Sequence, residues 1–200
     1  MKVTVMFAIA TQSLAQTNIV KASIEFEAAR RKSKRFALRA AIMRRPCSLV
    51  SMDELTNGSP IEGEHYVGLQ QVPVRDIVGS VDRHRDFDAN FSPRCDHTRQ
   101  RWQRVANAHL HGTTLPAVQL IRINGVYMVE DGNHRVSVAR HFGVEYIDAE
   151  VTEYVTATSA SPLSSNAAPR FNWNSWAHLA RAGVQAIKLH LPSRRTLKTA

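Results

Sequence analysis

Apolar and polar residues follow two different periods along this chain. In residues 16–45 apolar side chains recur at helical spacing among many Lys and Arg residues, which predicts one or two helices ended by Pro46. Short apolar runs at Leu69–Val78, Val118–Ile123 and Tyr146–Val151 predict strands. The pattern therefore predicts a basic helical segment followed by a sheet.

A hairpin that leads directly into a helix is predicted at Ile123–Arg140. The Asn124-Gly125 pair favours the positive φ angles of a type I′ turn, and the apolar runs on either side supply two strands. Asp131 stands where an N-cap belongs, and Gly143 stands where the helix should end. The first turn of this helix is then Gly132–Arg135.

The remaining elements complete an α+β pattern. Pro73 places its strand at a sheet edge, because proline cannot donate to a strand ladder. Thr98 is predicted to cap a helix that bears Trp102 and ends before His111-Gly112. Helices on a sheet of this order form a compact α+β domain.

Four segments follow from composition. The loop-like stretch Thr56–Gly63 ends a basic helical extension at residues 1–63, and the body follows at residues 64–155. Residues 156–170 are rich in Ser, Ala and Pro, which predicts a linker, and residues 171–200 are predicted to form a basic amphipathic helical tail. Its apolar stripe suits docking on the body, a partner, or an anionic surface.

The formal net charge of +9 over 200 residues is unevenly distributed. Residues 21–45 carry nine Lys or Arg and two Glu, whereas residues 64–153 carry ten Arg and twelve acidic residues. Residues 170–200 add six bases and no acid. Basic ends on a mildly acidic body predict contact with DNA, another nucleic acid or an anionic membrane surface, and solvated helix faces are the alternative.

The first turn of the predicted hairpin-linked helix has the composition of an anion site. The first N–H groups of a helix lack partners within the helix, and the macrodipole makes that end positive. Gly132 permits close approach to the main chain, Arg135 adds a fork of donors, and His134 adds a donor whose charge varies near neutral pH. The alternative is structural, with Asp131 as the cap and Arg135 paired with a neighbouring carboxylate.

Four short sequence motifs (boxes) resemble those of the ParB/sulfiredoxin superfamily and occur in the same order as in that superfamily, across roughly residues 69–153. They are Val72–Ile77 with Arg85–Asp88, Leu115–Leu120, Gly132–Arg135, and Tyr146–Val151. In the third box ParB proteins carry Gly-Glu-Arg-Arg and sulfiredoxins carry Gly-Cys-His-Arg, where this chain has Gly-Asn-His-Arg. The resemblance implies a ParB/sulfiredoxin-like α+β fold with a mixed sheet and flanking helices.

The resemblance also implies a ligand. Members of the superfamily bind CTP or ATP at this helix start, so the ligand expected here is a nucleotide triphosphate with Mg²⁺. The phosphate-binding residues carried over by position are Gly132, Asn133, His134 and Arg135, with Arg85 reaching in from the opposite loop. Glu130 and Asp131 are the metal candidates, and Asp131 and His134 are the catalytic candidates.

Three departures from the superfamily limit the ligand and the activity that the resemblance implies. Asn133 stands where sulfiredoxins carry their cysteine, and an amide cannot act as a nucleophilic thiolate, so sulfiredoxin activity is not expected. The second residue of the ParB box is not acidic here, which weakens the implication of cytidine selectivity. A partition protein also needs a helix-turn-helix region and a dimerisation tail after this fold, so a partition clamp is not expected either.

A third branch, the free-serine kinases, is similar through an Asp-Gly-x-His-Arg string that Asp131–Arg135 fits. Phosphoryl transfer there would need carboxylates for Mg²⁺, and the candidates are Glu130, Asp131, Asp86 and Asp88. The leading hypothesis is a nucleotide-binding domain associated with nucleic acid. One alternative is an enzyme, namely a small-molecule kinase of the free-serine type or, more generally, an NTP hydrolase or phosphotransferase. The other alternative is a catalytically inactive interaction module.

Cysteine usage and the N-terminus bound the remaining possibilities. Cys47 and Cys95 form no Cys-x-x-Cys motif and no tight His/Cys cluster in sequence, so no zinc site is predicted. The first fifteen residues weakly resemble a signal peptide, but the basic helical segment after them favours an N-terminal helix and a cytoplasmic protein. No stretch approaches the roughly 18 apolar residues of a transmembrane helix.

Overall fold

The computed structural model describes residues 2–56 and 58–156, with side chains described from residue 16 onward. The predicted linker from residue 157 onward and the predicted tail at 171–200 lie outside the described residues.

In the described chain, a long N-terminal helix and a short second helix are followed by five strands with two further helices between them. The elements, in order, are α1 (Lys2–Ile42), α2 (Met52–Thr56), β1 (Ile61–Pro73), β2 (Ile77–Ser80), α3 (Arg99–Leu110), β3 (Val118–Ile123), β4 (Val126–Asp131), α4 (Asn133–Phe142) and β5 (Tyr146–Thr156). Short 3₁₀ turns lie at Val74–Asp76 and Asp96–Thr98. No helix in this part of the chain is both long and apolar enough to cross a membrane.

The five strands form one mixed sheet in the order β1-β5-β3-β4-β2. β1 pairs with β5 and β3 pairs with β4 in antiparallel fashion, whereas β5 with β3 and β4 with β2 are parallel. The predicted α+β class, a mixed sheet with flanking helices, is therefore confirmed. β1 lies at an edge, as Pro73 predicted.

Helix α1 packs as part of the body rather than beside it. Ala22, Phe26 and Ala29 of α1 lie in the same buried cluster as sheet residues and residues of α3 and α4. The Phe26 ring meets the Trp102 ring edge to face, with centroids 5.5 Å apart. Trp102 Nε1 in turn donates a hydrogen bond to Ser137 Oγ of α4 at 2.9 Å, so three helices are joined at one buried point.

The basic charge of the N-terminal segment lies largely on the outer face of α1. Its exposed bases include Arg31, Lys32, Lys34, Arg35 and Arg39. Arg30 is an exception, since it pairs with Asp96 at 2.8 Å and also donates to the Arg94 carbonyl. The nucleic-acid contact expected from this charge stays a prediction.

The hairpin and helix at residues 123–143 have the predicted form. Asn124 and Gly125 have φ angles of 50° and 80°, and Gly143 ends α4 with a φ of 74°. The structure corrects the start of α4, because the N-cap is Gly132 and not Asp131. Asp131 is instead the last residue of β4.

Two other local predictions need correction. Thr98 does precede α3, but its side chain donates to the Cys95 carbonyl at 2.6 Å and caps no helix N–H. The loop predicted at Thr56–Gly63 is shorter, since β1 already begins at Ile61. Ile61 pairs with Thr156, so the ladder between β1 and β5 extends both strands beyond their predicted limits.

Candidate anion site at the start of helix α4

The anion site, defined as the α4 first turn Gly132–Arg135, opens with a backbone conformation that requires glycine. Gly132 has a φ of 102°, and a Cβ added there would lie 2.6 Å from Val118 Cγ1. Val118 is fully buried on β3 and its branched side chain has little freedom to move. A side chain at residue 132 would therefore be strained by both conformation and contact.

The start of α4 has no side-chain cap. The Val136 N–H donates to the Gly132 carbonyl at 3.0 Å, which is the first turn of the helical ladder. The N–H groups of Asn133, His134 and Arg135 precede this bond, and such groups carry the positive end of the helix dipole. The turn therefore presents main-chain donors with no carboxylate or hydroxyl cap against them.

The Arg135 side chain is engaged mainly in hydrogen bonds and an ion pair within the protein. Its Nη1 donates to the carbonyls of Pro116 and Ala117 at 2.7 and 2.6 Å, and its Nη2 pairs with Asp131 Oδ2 at 2.7 Å. The side chain is 16% exposed. Arg135 thus braces the segment before β3 against α4, and the phosphate contact assigned to it by position stays a prediction.

The two metal candidates from sequence, Glu130 and Asp131, are both exposed at the end of β4. Within the described ranges neither belongs to a group of three side chains that could share a metal ion. Because Asp131 also pairs with Arg135, its carboxylate is partly neutralised.

His134 is held neutral rather than poised near neutral pH. Burial, together with the positive charges of Arg101 and Arg83, lowers the pKa of His134 to about 4, against the opposing effect of Asp86. The ring lies edge to face against Phe87, with centroids 5.4 Å apart. An imidazole in this state does not carry positive charge to a ligand at pH 7, which corrects the expectation from sequence.

This pKa predicts a pH-dependent stability. Because the unfolded pKa is near 6.5 and the folded pKa is about 4, the unfolded chain binds the extra proton more readily. We expect a stability contribution that is complete above pH 6.5 and is lost as the pH falls toward 4. After allowance for the partial exposure of the ring, it is on the order of 1 kcal/mol.

Urea unfolding of wild type and His134→Gln at pH 7, 5 and 4, with chelator present, measures this contribution. The groups acting on His134 are Arg101 from α3 and Arg83, Asp86 and His97 from the preceding loop. The substitution should reduce the loss of stability on acidification, whereas His65→Gln, on the exposed part of β1, should not. Equal pH profiles for wild type and His134→Gln would contradict this assignment.

Two cations near the anion site were not singled out from the sequence. Arg83 is 51% exposed and pairs with Asp86 at 3.1 Å, and Arg101 is exposed on the first turn of α3. Both act on His134, which places positive charge from two separate elements near the start of α4. Arg83 lies in the same Arg- and Asp-rich loop as Arg85. The sequence therefore pointed to this loop, but it did not identify Arg83 within it.

Arg85 itself is exposed and makes no ion pair or hydrogen bond with the described residues. It is not among the charges that shift His134. Its contact with a phosphate stays a prediction.

Asn133, in the first turn of α4, carries a buried amide. It is 7% exposed, and its Oδ1 has no hydrogen-bond partner within the described part of the chain. Buried polar groups are usually paired, and the oxygen and nitrogen of an amide are exchangeable in assignment. The first turn of α4 therefore holds an unsatisfied polar group beside its free main-chain donors.

Comparisons with known proteins give little beyond a distant similarity. No protein-family model and no curated protein matches the chain. The chain is similar to the solved structure of sulfiredoxin from Arabidopsis thaliana at 17% identity and a TM-score of 0.31, over 42% of this chain and 82% of that one. A similarity this distant assigns no ligand, substrate or reaction to the chain.

Proposed function

We propose that this chain binds a phosphate-bearing ligand, of the nucleoside triphosphate class, at the anion site. The observation that supports this most strongly is the convergence of positive potential on an uncapped helix start. Arg83 from the loop and Arg101 from α3 both act on His134, within the first turn of α4. The helix dipole adds to the same positive potential. Asp86, which pairs with Arg83 at 3.1 Å, offsets part of it.

Three further features suit a phosphate. Gly132 keeps the main chain free of a Cβ at the start of the turn. Arg135 fixes this turn to the Pro116 and Ala117 carbonyls, which holds the donors in one geometry before a ligand arrives. The unsatisfied amide of Asn133 offers another hydrogen-bonding group.

The proposal is one of binding rather than phosphoryl transfer. Mg²⁺ in such sites is held by carboxylates together with the phosphates. Glu130 and Asp131 do not form a ligand cluster in the described chain, and Asp131 is paired with Arg135. The donor set at these two positions therefore fits a magnesium-dependent transfer poorly, and we assign no catalytic step.

Calorimetric titration of the full chain with ATP, CTP and inorganic tripolyphosphate, with and without Mg²⁺, tests the proposal. We expect Arg83→Ala and Arg101→Ala each to weaken binding roughly 3- to 10-fold, since each removes one partly screened charge near the phosphates. Tripolyphosphate should keep most of the affinity, because the proposed contacts are to phosphate oxygens.

Arg104→Ala is the matched control, since Arg104 is another exposed arginine on α3 that is not among the described charges acting on His134. Its affinity should equal that of the wild type, and Arg85→Ala tests the contact predicted by position. The absence of binding to all three ligands, or equal losses in Arg104→Ala and Arg101→Ala, would refute the site. Free phosphate in the same mixtures, or phosphoserine after addition of free serine, would show catalysis in addition to binding.

A further inference from the structure

We propose that Asp86, Cys95 and His97 form a binding site for a transition metal ion of the zinc class. One ligand atom from each residue lies within 4.8 Å of the other two, and Asp86 Oδ1 is 3.1 Å from His97 Nε2. Zinc bonds of about 2.0–2.3 Å in tetrahedral geometry separate neighbouring ligand atoms by roughly 3.3–3.7 Å. Small side-chain rotations would therefore bring all three atoms onto one ion.

The main chain holds these residues together before any ion binds. The Arg94 N–H donates to the Asp86 carbonyl at 2.8 Å, and the Asp88 N–H donates to the Ser92 carbonyl at 2.9 Å. Asp86 and Cys95 therefore lie at the open end of a backbone-paired turn. The Thr98 hydroxyl donates to the Cys95 carbonyl at 2.6 Å, which fixes the 3₁₀ turn that carries His97.

The Asp86 carboxylate also has the outer contact that metal-binding carboxylates usually have. Arg83 Nη1 donates to Asp86 Oδ2 at 3.1 Å, so one oxygen is oriented by the arginine while Oδ1 is directed toward His97. Such outer hydrogen bonds orient ligands and strengthen metal binding. The His97 side chain is 59% exposed, so an ion has access from solvent.

The donor set selects the class of ion. A thiolate and an imidazole with one carboxylate suit Zn²⁺ and Co²⁺, whereas Mg²⁺ prefers oxygen ligands alone. With neutral imidazole, the divalent ion and its two anionic ligands carry no net charge, which favours binding beside Arg83. Three protein ligands leave a fourth position for water or an external ligand.

An ion pair between His97 and Asp86 explains two of these residues without a metal, but it does not explain the thiol placed beside them. Sequence spacing alone gave no zinc prediction, because the Cys-x-His pair is short and its third ligand lies nine residues earlier across the turn. The site shares no ligand with the anion site. Arg83 lies beside both sites, but Cys95 takes no part in the anion site, so the cobalt spectrum of Cys95→Ser separates the outcome of the metal site from that of the proposed function.

Titration of the reduced, untagged full chain with Co²⁺ tests the site directly. We expect one equivalent to bind with a thiolate-to-cobalt charge-transfer band and the intense visible bands of tetrahedral Co²⁺, and Zn²⁺ should displace it. Cys95→Ser should abolish the charge-transfer band. Cys95→Ser and His97→Gln should each weaken binding at least about 100-fold, the upper range for loss of an outer contact.

Cys47→Ser is the matched control, since Cys47 is the other free and half-buried cysteine and should keep the full spectrum. Absence of a charge-transfer band in wild type would overturn the proposal, whether or not the variants fold. So would a band that persists in Cys95→Ser or is lost in Cys47→Ser. Circular dichroism of each variant without metal shows whether a loss of binding reflects the ligand or the fold.

Discussion

Replacing Arg140 with Met is expected to lower the free energy of unfolding by about 3–5 kcal/mol, through loss of a buried and multiply bonded charge. Arg140 Nη2 donates to the carbonyls of Val74 and Ile77 at 3.0 and 2.6 Å, and its Nη1 donates to the Ala89 carbonyl at 3.4 Å. Burial lowers the pKa of Arg140 to about 10, against the opposing effect of Asp88 and Asp76.

The loss is expected because Met leaves the carbonyl groups that Arg140 binds without a donor. Its side chain fills a similar volume, but it donates no hydrogen bond to the carbonyls of the 3₁₀ turn and β2. Each buried acceptor left without a partner costs about 1–3 kcal/mol, and the buried charge of Asp88 also loses a nearby cation. Arg140 therefore joins the end of α4 to the edge strand β2.

Chemical denaturation followed by circular dichroism measures this effect. The stability of Arg140→Lys should lie between those of wild type and Arg140→Met. An ammonium group keeps the charge but cannot donate to all the carbonyls that the guanidinium reaches. Arg75→Ala is the control, because its side chain is 82% exposed and its loss should change stability by less than about 0.5 kcal/mol. A denaturation midpoint for Arg140→Met equal to that of wild type would show that these contacts are not stabilising.

Phe26→Ala is the second large effect, with an expected loss of about 3–5 kcal/mol for an aromatic side chain removed from a packed core. Phe26 is fully buried and packs edge to face on Trp102. Arg99 of α3 also lies over its ring, with Cζ 4.6 Å from the centroid. The substitution removes the largest buried side chain that α1 contributes to the shared core.

Thermal unfolding and the fluorescence of Trp102 report on this contact together, because a cavity beside the indole should both destabilise the domain and shift its emission. The other tryptophans, Trp173 and Trp176, need replacement by Phe in all variants so that the emission has one source. Ile24→Ala is the control on the same helix, since Ile24 is 58% exposed. If Phe26→Ala unfolds like Ile24→Ala, α1 is not an integral part of the core.

Local patterns predicted the elements that local forces determine. The Asn124-Gly125 turn and the Gly143 helix end need only short-range conformational preferences, and both have the predicted backbone angles. The cap at Asp131 was wrong because the carboxylate has a stronger partner one turn along the helix, in Arg135. The lengths of β1 and β5 were underestimated because each strand extends along the other.

For the candidate site, the sequence was enough to predict the main-chain donors at the start of α4 but not the charges around them. Gly132 was identified from its residue type, whereas the cations Arg83 and Arg101 come from different elements that meet only in the folded chain. The low pKa of His134 depends mainly on burial, which no motif encodes. The grouping of Asp86, Cys95 and His97 likewise depends on the backbone-paired turn between residues 86 and 94.

Phosphate binding at the start of α4 is tested most directly by titrating ¹⁵N-labelled protein with tripolyphosphate and monitoring the backbone amide resonances. We expect the amides of Asn133, His134 and Arg135 to shift most, and to saturate with the dissociation constant found by calorimetry. These N–H groups form the uncapped start of α4 and are the proposed donors to phosphate. Saturating binding that leaves all three amides unshifted, or no shift at any concentration, would contradict this proposal.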